Sequence, residues 1–576
     1  MSGERLRDAH LGRQSGGVQV RRSVVGRASA MAAGSISAAA ALGASELVAG
    51  IASDGGPSLV SSVGTEFIDR FAGGLEGLAV TLFGTNDKVA LVVGIVVVSL
   101  TLGAVCGAAA RRRFQRGAVG FVAFGALGAW AASVDPLGSM ATGLVAALVA
   151  VLVGVGALWV LLRMAPRRSA ALSQTTGAGA APATGSRRRA FLAVAATVSA
   201  VAATSAGAGR TLRTGGSSAA ARRAIRLPPV GSSVDRPPAA SAPVVTRPAS
   251  PPPSSAPATT SEAPDVAPPP TTAPAPDPFA VPGLTPYVTP NDAFYRIDTA
   301  LIVPQVDLAT WRLDLSGLVY RPFSLSYDEL LSLDAVEATV TLQCVSNEVG
   351  GRLVDNAVWQ GVSLEALLER AGPQIGASQI IGRSQDDWTA GFPTAVARDG
   401  RVALVAYGMN NEPLPIEHGF PARLVVAGLY GYVSATKWLR EIELTRFDDV
   451  DGYWIARGWA KEGPVKTMSR IDVPTSAAIL TPGPTPIAGV AWAPDRGISR
   501  VEVQVDDGDW QECVLGDVAS DATWVQWVHQ WDATPGAHVA RVRAIDGDGV
   551  TQTSALRDPI PNGATGWHSR RVRVAG

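Results

Sequence analysis

Between residues 29 and 208 the apolar positions run on with little polar interruption, whereas after residue 280 they alternate with polar ones. Four runs, at 29–52, 89–110, 117–134 and 141–162, have the roughly 20 apolar residues that a helix needs to cross a bilayer. A fifth run, at 190–208, is shorter, rich in Ala, Ser and Thr, and only mildly apolar. Between the first two, Val63, Phe67, Phe71, Leu75, Leu78 and Leu82 recur at spacings of three and four, with Glu66, Asp69, Arg70 and Glu76 among them. That spacing predicts an amphipathic helix suited to packing or to the outer membrane interface. In the second half Trp311, Leu313 and Leu315 alternate as in a strand, and Ser326-Tyr327-Asp328-Glu329 opens a helix with a capping box. Val340 and Leu342 alternate again up to Cys344, and a short helix is expected at 363–370. Beyond Phe447 the strands become short and regular. Val501, Val503 and Val505 precede an Asp507-Gly508 turn, 524–531 forms a second strand, and 539–544 a third before Asp546-Gly547-Asp548-Gly549. Short alternating strands between turn signals predict an antiparallel β-sandwich of Ig-like type.

Charge adds an orientation. The 49 basic and 49 acidic side chains cancel over 576 residues, but residues 1–226 hold 23 basic against 9 acidic and the remainder 26 against 40. The basic half is also the apolar one, which argues against nucleic acid as a partner. Arg5, Arg7, Arg13, Arg21, Arg22 and Arg27 precede the first run; Arg111, Arg112, Arg113 and Arg116 follow the second; Arg163, Arg167 and Arg168 follow the fourth. Cations concentrated in alternate loops place the N-terminus in the cytoplasm and everything after the fifth run outside it. The 3 cysteines exclude a disulfide scaffold and any four-cysteine metal site. His10 is the only histidine before His418, so the apolar runs hold no pair of haem ligands, and no C-x-x-C-H attachment motif is present. The few charges sit at the ends of the runs, apart from Glu46 near the outer end of the first, and Cys106 in the second reads as a packing residue.

Ser186-Arg187-Arg188-Arg189-Ala190-Phe191-Leu192 stands directly before the fifth run and resembles a twin-arginine export signal, the route taken by proteins exported folded. From Leu227 to Pro290 the composition turns to Pro, Ala, Ser and Thr, with 20 of the chain's 40 prolines, as in an extended spacer without a core. The expected organisation is a basic cytoplasmic tail (1–28), a four-helix transmembrane anchor (29–164), a cytoplasmic linker (165–189), a fifth span (190–208), a disordered Pro-rich stalk (209–280), an α+β domain (281–446) and an Ig-like domain (447–576).

Three motifs then carry a family resemblance. Thr341-Leu342-Gln343-Cys344-Val345-Ser346-Asn347-Glu348 lies between Thr289-Pro290-Asn291-Asp292-Ala293-Phe294-Tyr295 and Pro415-Ile416-Glu417-His418-Gly419-Phe420-Pro421-Ala422-Arg423. Residues 430–439 and 463–470 extend the match. This order resembles the molybdopterin-binding core of the sulfite oxidase superfamily, and residues 447–576 resemble its dimerisation domain. The resemblance implies a molybdenum–molybdopterin cofactor with Cys344 as the protein ligand of the metal, a role that suits a soft thiolate. It further implies cofactor contacts from Asn291, Phe294, Tyr295, His418, Arg423, Ser434, Thr436 and Lys437, with Arg423 and Lys437 on the phosphate, and it places Ser384 and Asp387 on the substrate side. Where sulfite-oxidising members carry an Asn-Arg-Arg run after the ligand, this chain has Asn347-Glu348-Val349, which disfavours an anionic substrate.

The expected function is two-electron oxygen-atom transfer by a membrane-anchored, extracytoplasmic oxidoreductase acting on an S-oxide or another small oxyanion. Its electrons would pass to or from a separate cytochrome or quinone-linked membrane protein, and a homodimer would form through the C-terminal domain. The alternative is a stalked cell-surface binding module whose molybdopterin-type domain has lost catalysis.

Overall fold

Small residues set how closely the helices of the first half approach. The computed structural model describes residues 24–52, 56–83, 87–168, 183–214, 217–233, 277–476 and 478–576, which fall into two compact units, 1–66 with 79–214, and 67–78 with 215–576. The first unit contains α1 (Arg27–Ile51), most of α2 (Leu59–Phe83), α3 (Asp87–Ala110), α4 (Phe114–Val134), α5 (Met140–Met164) and α6 (Ala183–Thr214). A two-residue ladder, β1 (Val24–Val25) with β2 (Arg167–Arg168), runs antiparallel beside them. Helix α1 packs against α3, α5 and α6. A Cβ on Gly34 would stand 2.0 Å from the Gly103 carbonyl, and one on Gly43 2.4 Å from that of Ala202, so only glycine permits these backbones to touch. Among the described residues five helices are long and apolar enough to cross a membrane: Arg27–Ile51, Lys88–Ala110, Phe114–Val134, Met140–Met164 and Arg188–Leu212. The fifth is longer than its composition promised. Glu46 is buried in α1 and accepts a hydrogen bond from Ser58 Oγ at 2.6 Å. Cys106 is packed against Gly120, where an added Cβ would meet its Sγ at 2.3 Å. The basic tail before Val24, with His10, lies outside the described residues, as do 169–182 of the expected linker.

Beyond 67–78 of α2, the second unit contains α7 (Ser217–Ala224) and β3 (Ser232–Ser233), which pairs in parallel with β6 (Val336–Gln343). Here the expected disordered stalk from 209 to 280 needs correction: 209–214 belong to α6, and 217–233 are folded onto the domain. The alanines and arginines of 217–224 favour a helix, and the dense prolines begin only afterwards. Residues 234–276 lie outside the described residues.

Two sheets follow. In the first, β6 pairs with β7 (Val354–Ser363), β7 with β10 (Ala403–Met409), and β10 with both β11 (Glu412–Pro413) and β12 (Arg423–Val426). The second has the order β5 (Phe323–Ser326), β4 (Arg312–Gly317), β13 (Leu439–Thr445), β8 (Gln379–Ser384), β9 (Thr389–Pro393), with β4 and β13 parallel. The helices are short: α8 (Tyr327–Leu331), with its capping box between Ser326 and Glu329, α9 (Leu364–Ala371), capped by Ser363, and α10 (Gly431–Ser434). The domain is thus β-rich, with less helix than an α+β reading implied.

After residue 467 two further sheets share one core. One orders β14 (Met468–Val473), β16 (Gly483–Trp492), β20 (Val525–Ala533) and β19 (Val514–Leu515). The other orders β15 (Ile479–Leu480), β22 (His568–Val574), β21 (Gly536–Asp546), β17 (Ile498–Val505) and β18 (Gln511–Glu512). Ile471, Ile487 and Trp527 from one pack against Val501, Val503 and Val542 from the other, together with buried Cys513. Burial pushes the Cys513 thiol up to about 12, helped by Glu502 and Glu512, so it acts as a small apolar side chain.

Candidate active site

Strand β6 ends at Gln343, and Cys344 is the first residue of the loop that returns the chain to β7. The loop is tied across its base. Cys344 N–H donates to the Leu353 carbonyl at 2.9 Å, Asn347 N–H donates to the Cys344 carbonyl at 3.1 Å, and Asn347 Oδ1 accepts from Leu353 N–H at 2.8 Å. It is also held from the C-terminal sheets. Arg470 Nη1 donates to the Gly351 carbonyl at 2.9 Å while its Nε bonds Asp472 at 2.6 Å. Gly350 has φ of +77°, and a Cβ there would lie 2.3 Å from the His568 ring, so this contact requires glycine twice over. His568 Nδ1 accepts from Ile471 N–H at 2.9 Å and is therefore unprotonated on that nitrogen. Burial, with Arg570 and Arg470 nearby, pushes this imidazole down to about 4. Sequence reasoning missed His568 and gave Arg470 no role beyond its place in the stretch 463–470.

A second group of side chains surrounds Arg423. Phe294 is buried, stacked on Tyr295 at 5.3 Å, with the edges of Trp359 and His418 at 5.8 and 5.5 Å. Asp355 fixes this segment: its carboxylate accepts from Tyr295 N–H at 2.6 Å and from Thr289 Oγ1 at 3.1 Å, and burial nevertheless pushes it up to about 6. His418 Nε2 lies 3.0 Å from the Asn291 carbonyl, an acceptor only, so Nε2 carries the proton. Burial, with Arg423 and Lys437 adding to it, drives His418 down to about 4 and keeps it neutral. Asn291 donates through Nδ2 to Glu412 at 2.5 Å and accepts from Asn410 at 2.8 Å. Asn410 and Asn411 both have positive φ and form the two-residue turn between β10 and β11, a hairpin signal that the sequence carried unread.

Arg423 is 5% exposed. Its guanidinium donates to the carbonyls of His418 at 3.1 Å and Leu424 at 3.4 Å and lies 4.9 Å from the centre of the Trp359 ring. No described carboxylate lies within ion-pairing distance, and burial pulls it down to about 10. Lys437, also buried, donates to Asp298 at 2.6 Å and to the Glu417 carbonyl at 3.2 Å; burial lowers it to about 8 against the pull of Asp298. Burial first, then the nearby Cys344, raises the Tyr295 hydroxyl well above the usual range, and Arg423 acts against them.

The remaining expected residues divide. Ser434 is buried on α10 and bonds the Tyr430 carbonyl of its own turn at 3.1 Å. That turn borders the loop, since a Cβ on Gly431 would come 3.9 Å from the Gln343 carbonyl. Thr436 turns its hydroxyl toward Gly382 of β8 and has no partner there. Ser384 is buried at the end of β8, whereas Asp387 is half exposed and paired with Arg440 at 2.5 Å. A molybdopterin fits this set on physical grounds. A thiol sits at a tied loop, and among the described residues the buried guanidinium has no anion at pairing distance and the buried Asn347 Nδ2 and Thr436 Oγ1 have no hydrogen-bond partner. A bound molecule with a phosphate and a ring edge of donors and acceptors would meet such demands.

Comparisons with known proteins agree with this chemistry. Residues 300–454 match the family described as the oxidoreductase molybdopterin binding domain. The mitochondrial sulfite oxidase of Mus musculus is 32% identical over 272 residues, covering 40% of this chain and 49% of its own length. Sulfite oxidase of Arabidopsis thaliana is 30% identical over 276 residues, 39% of this chain and 70% of its own. An uncharacterized oxidoreductase of Bacillus subtilis is 36% identical over 157 residues, 27% and 76% respectively. The chain spans about half the length of the mouse relative.

Proposed function

Since the chain belongs to the sulfite oxidase family of molybdopterin-dependent oxidoreductases, we propose that it performs two-electron oxygen-atom transfer at a molybdenum held by Cys344. The observation that carries this reading is the buried Arg423, which has no described carboxylate at ion-pairing distance and whose guanidinium is held by the His418 carbonyl within the motif that follows the tied Cys344 loop in the chain. Arg423 and Lys437 hold the pterin phosphate, and Asn291 and neutral His418 address its ring through directed hydrogen bonds. When bound, the cofactor supplies the two-electron redox change and the metal at which oxygen is exchanged. The chain's part is positional and electrostatic. The loop clamp fixes the thiol, Asp355 orients Tyr295, and the uncharged imidazole adds no further cation beside Arg423 and Lys437.

The substrate is a small oxygen-bearing molecule, and Glu348, exposed four residues beyond the ligand, favours an uncharged S-oxide over sulfite. The five apolar helices support a multi-pass membrane anchor, and the arginine bias supports an extracytoplasmic catalytic unit behind a twin-arginine-type signal. α2 then lies in the outer interface. Electrons pass to or from a separate cytochrome or quinone-linked membrane protein. The two C-terminal sheets form an Ig-like domain that mediates a two-fold dimer, a form that sedimentation of the second unit at micromolar concentration would reveal. A screen of S-oxides, N-oxides and sulfite with artificial electron donors and acceptors tests the reaction. Turnover of an S-oxide that is lost in Cys344→Ser with the fold intact is expected; turnover that survives this substitution would overturn the assignment.

A further inference from the structure

From sequence alone 209–280 is one long spacer, and the structure divides it. Ser218, fully buried in α7, donates through Oγ to the Val306 carbonyl at 2.8 Å. One helical turn later Arg222 donates to the Pro413 carbonyl through Nε at 3.0 Å and Nη2 at 2.7 Å, to the Leu414 carbonyl at 2.8 Å, and pairs with Glu412 at 3.0 Å. Ile225 and Leu227 then pack against the cores of the two sheets, Leu227 over Gly408, where a Cβ would stand 3.0 Å from its Cδ1. The Pro228 carbonyl accepts from Gln360 Nε2 at 2.7 Å, Gly231 N–H donates to the Ala335 carbonyl at 3.0 Å, and β3 extends the sheet beside β6.

Downstream of the Pro-rich run the chain is fixed again on the same unit. Thr285 accepts from Arg470 Nη2 at 2.9 Å and, through its carbonyl, from Gln526 at 2.7 Å. The Tyr287 carbonyl accepts from Asn356 and Trp524, both at 2.9 Å.

We propose that residues 217–233 are a clasp that belongs to the catalytic unit, so that the chain is held by that unit on both sides of the Pro-rich run, at 217–233 and again from Thr285, and the unit does not hang from that run. Tension on the chain from α6 then reaches the unit at the clasp, ahead of the Pro-rich run. The clasp also bears on the site, because Glu412, its ion-pair partner, accepts from Asn291 Nδ2. None of this depends on the cofactor or the reaction.

The test uses the full chain in detergent micelles, tagged at its N-terminus, with one engineered protease site between residues 250 and 256 and another at 215–216. After cutting only the first, capture through the tag retains the C-terminal fragment. After cutting both, the short peptide beginning at 217 co-elutes with the C-terminal fragment on gel filtration. Arg222→Glu, which turns the pair with Glu412 into a repulsion, lowers the retained peptide at least tenfold. Release of the C-terminal fragment by the first cut, a peptide that elutes alone after both, or undiminished retention in Arg222→Glu would each overturn the clasp.

Discussion

Arg423 carries its charge where burial opposes one. A buried unpaired ion is destabilising, and an apolar side chain of similar length removes that cost. We therefore expect Arg423→Met to make the cofactor-free protein more stable by about 1–3 kcal/mol in denaturant unfolding, while pterin uptake falls at least tenfold. Loss of uptake together with lost stability would mean that Arg423 serves the fold and not an anion. The histidines predict a pH dependence. His418 and His568, each pushed down to about 4, are below the ordinary value of 6.5, so between those limits the unfolded chain holds more protons and stability falls as pH falls. Each contributes a loss of about 2 kcal/mol by pH 5. Asp355, pushed up to about 6, acts in the opposite sense below that pH, leaving the two histidines in excess. Unfolding midpoints of His568→Gln measured from pH 7 to 5 should show a slope shallower than wild type; an unchanged slope would contradict the assignment.

At the scale of elements, what the sequence disclosed was local. The capping box at Ser326 and Glu329, the Ser363 cap of α9 and the alternation leading to Cys344 each depend on side chains a few residues apart, and each is present. The motif residues Asn291, Phe294, His418, Arg423 and Lys437 were named through resemblance, and the fold groups them because β7, β10 and β12 are neighbours. What stayed hidden depends on distant partners. The loop clamp joins Gly351 to Arg470, 119 residues away, and the clasp joins Arg222 to Pro413 across 191. No periodicity reports such pairs. The β10–β11 turn offers a differential prediction. Asn411→Gly should be neutral or slightly stabilising, since glycine accepts positive φ freely. Asn410→Gly should cost about 1–3 kcal/mol, because its side chain also bonds Val358 N–H, the Thr289 carbonyl and Asn291. Equal denaturant midpoints for the two variants would show that those side-chain bonds contribute nothing.

For the whole molecule, the zero net charge conceals a basic, apolar half and an acidic, β-rich half. If the first is the anchor proposed above, a reporter active only outside the cytoplasm should work when fused after residue 576 and fail when fused at residue 113. The reverse pattern would invert the orientation. The central claim, that this fold is built around molybdopterin with Cys344 on the metal, is tested most directly by molybdenum and pterin analysis of the protein purified from a host that makes the cofactor. The wild type is expected to contain molybdenum and pterin in stoichiometric amounts, and Cys344→Ser to lose molybdenum. Wild-type protein matured in such a host yet containing neither would contradict it.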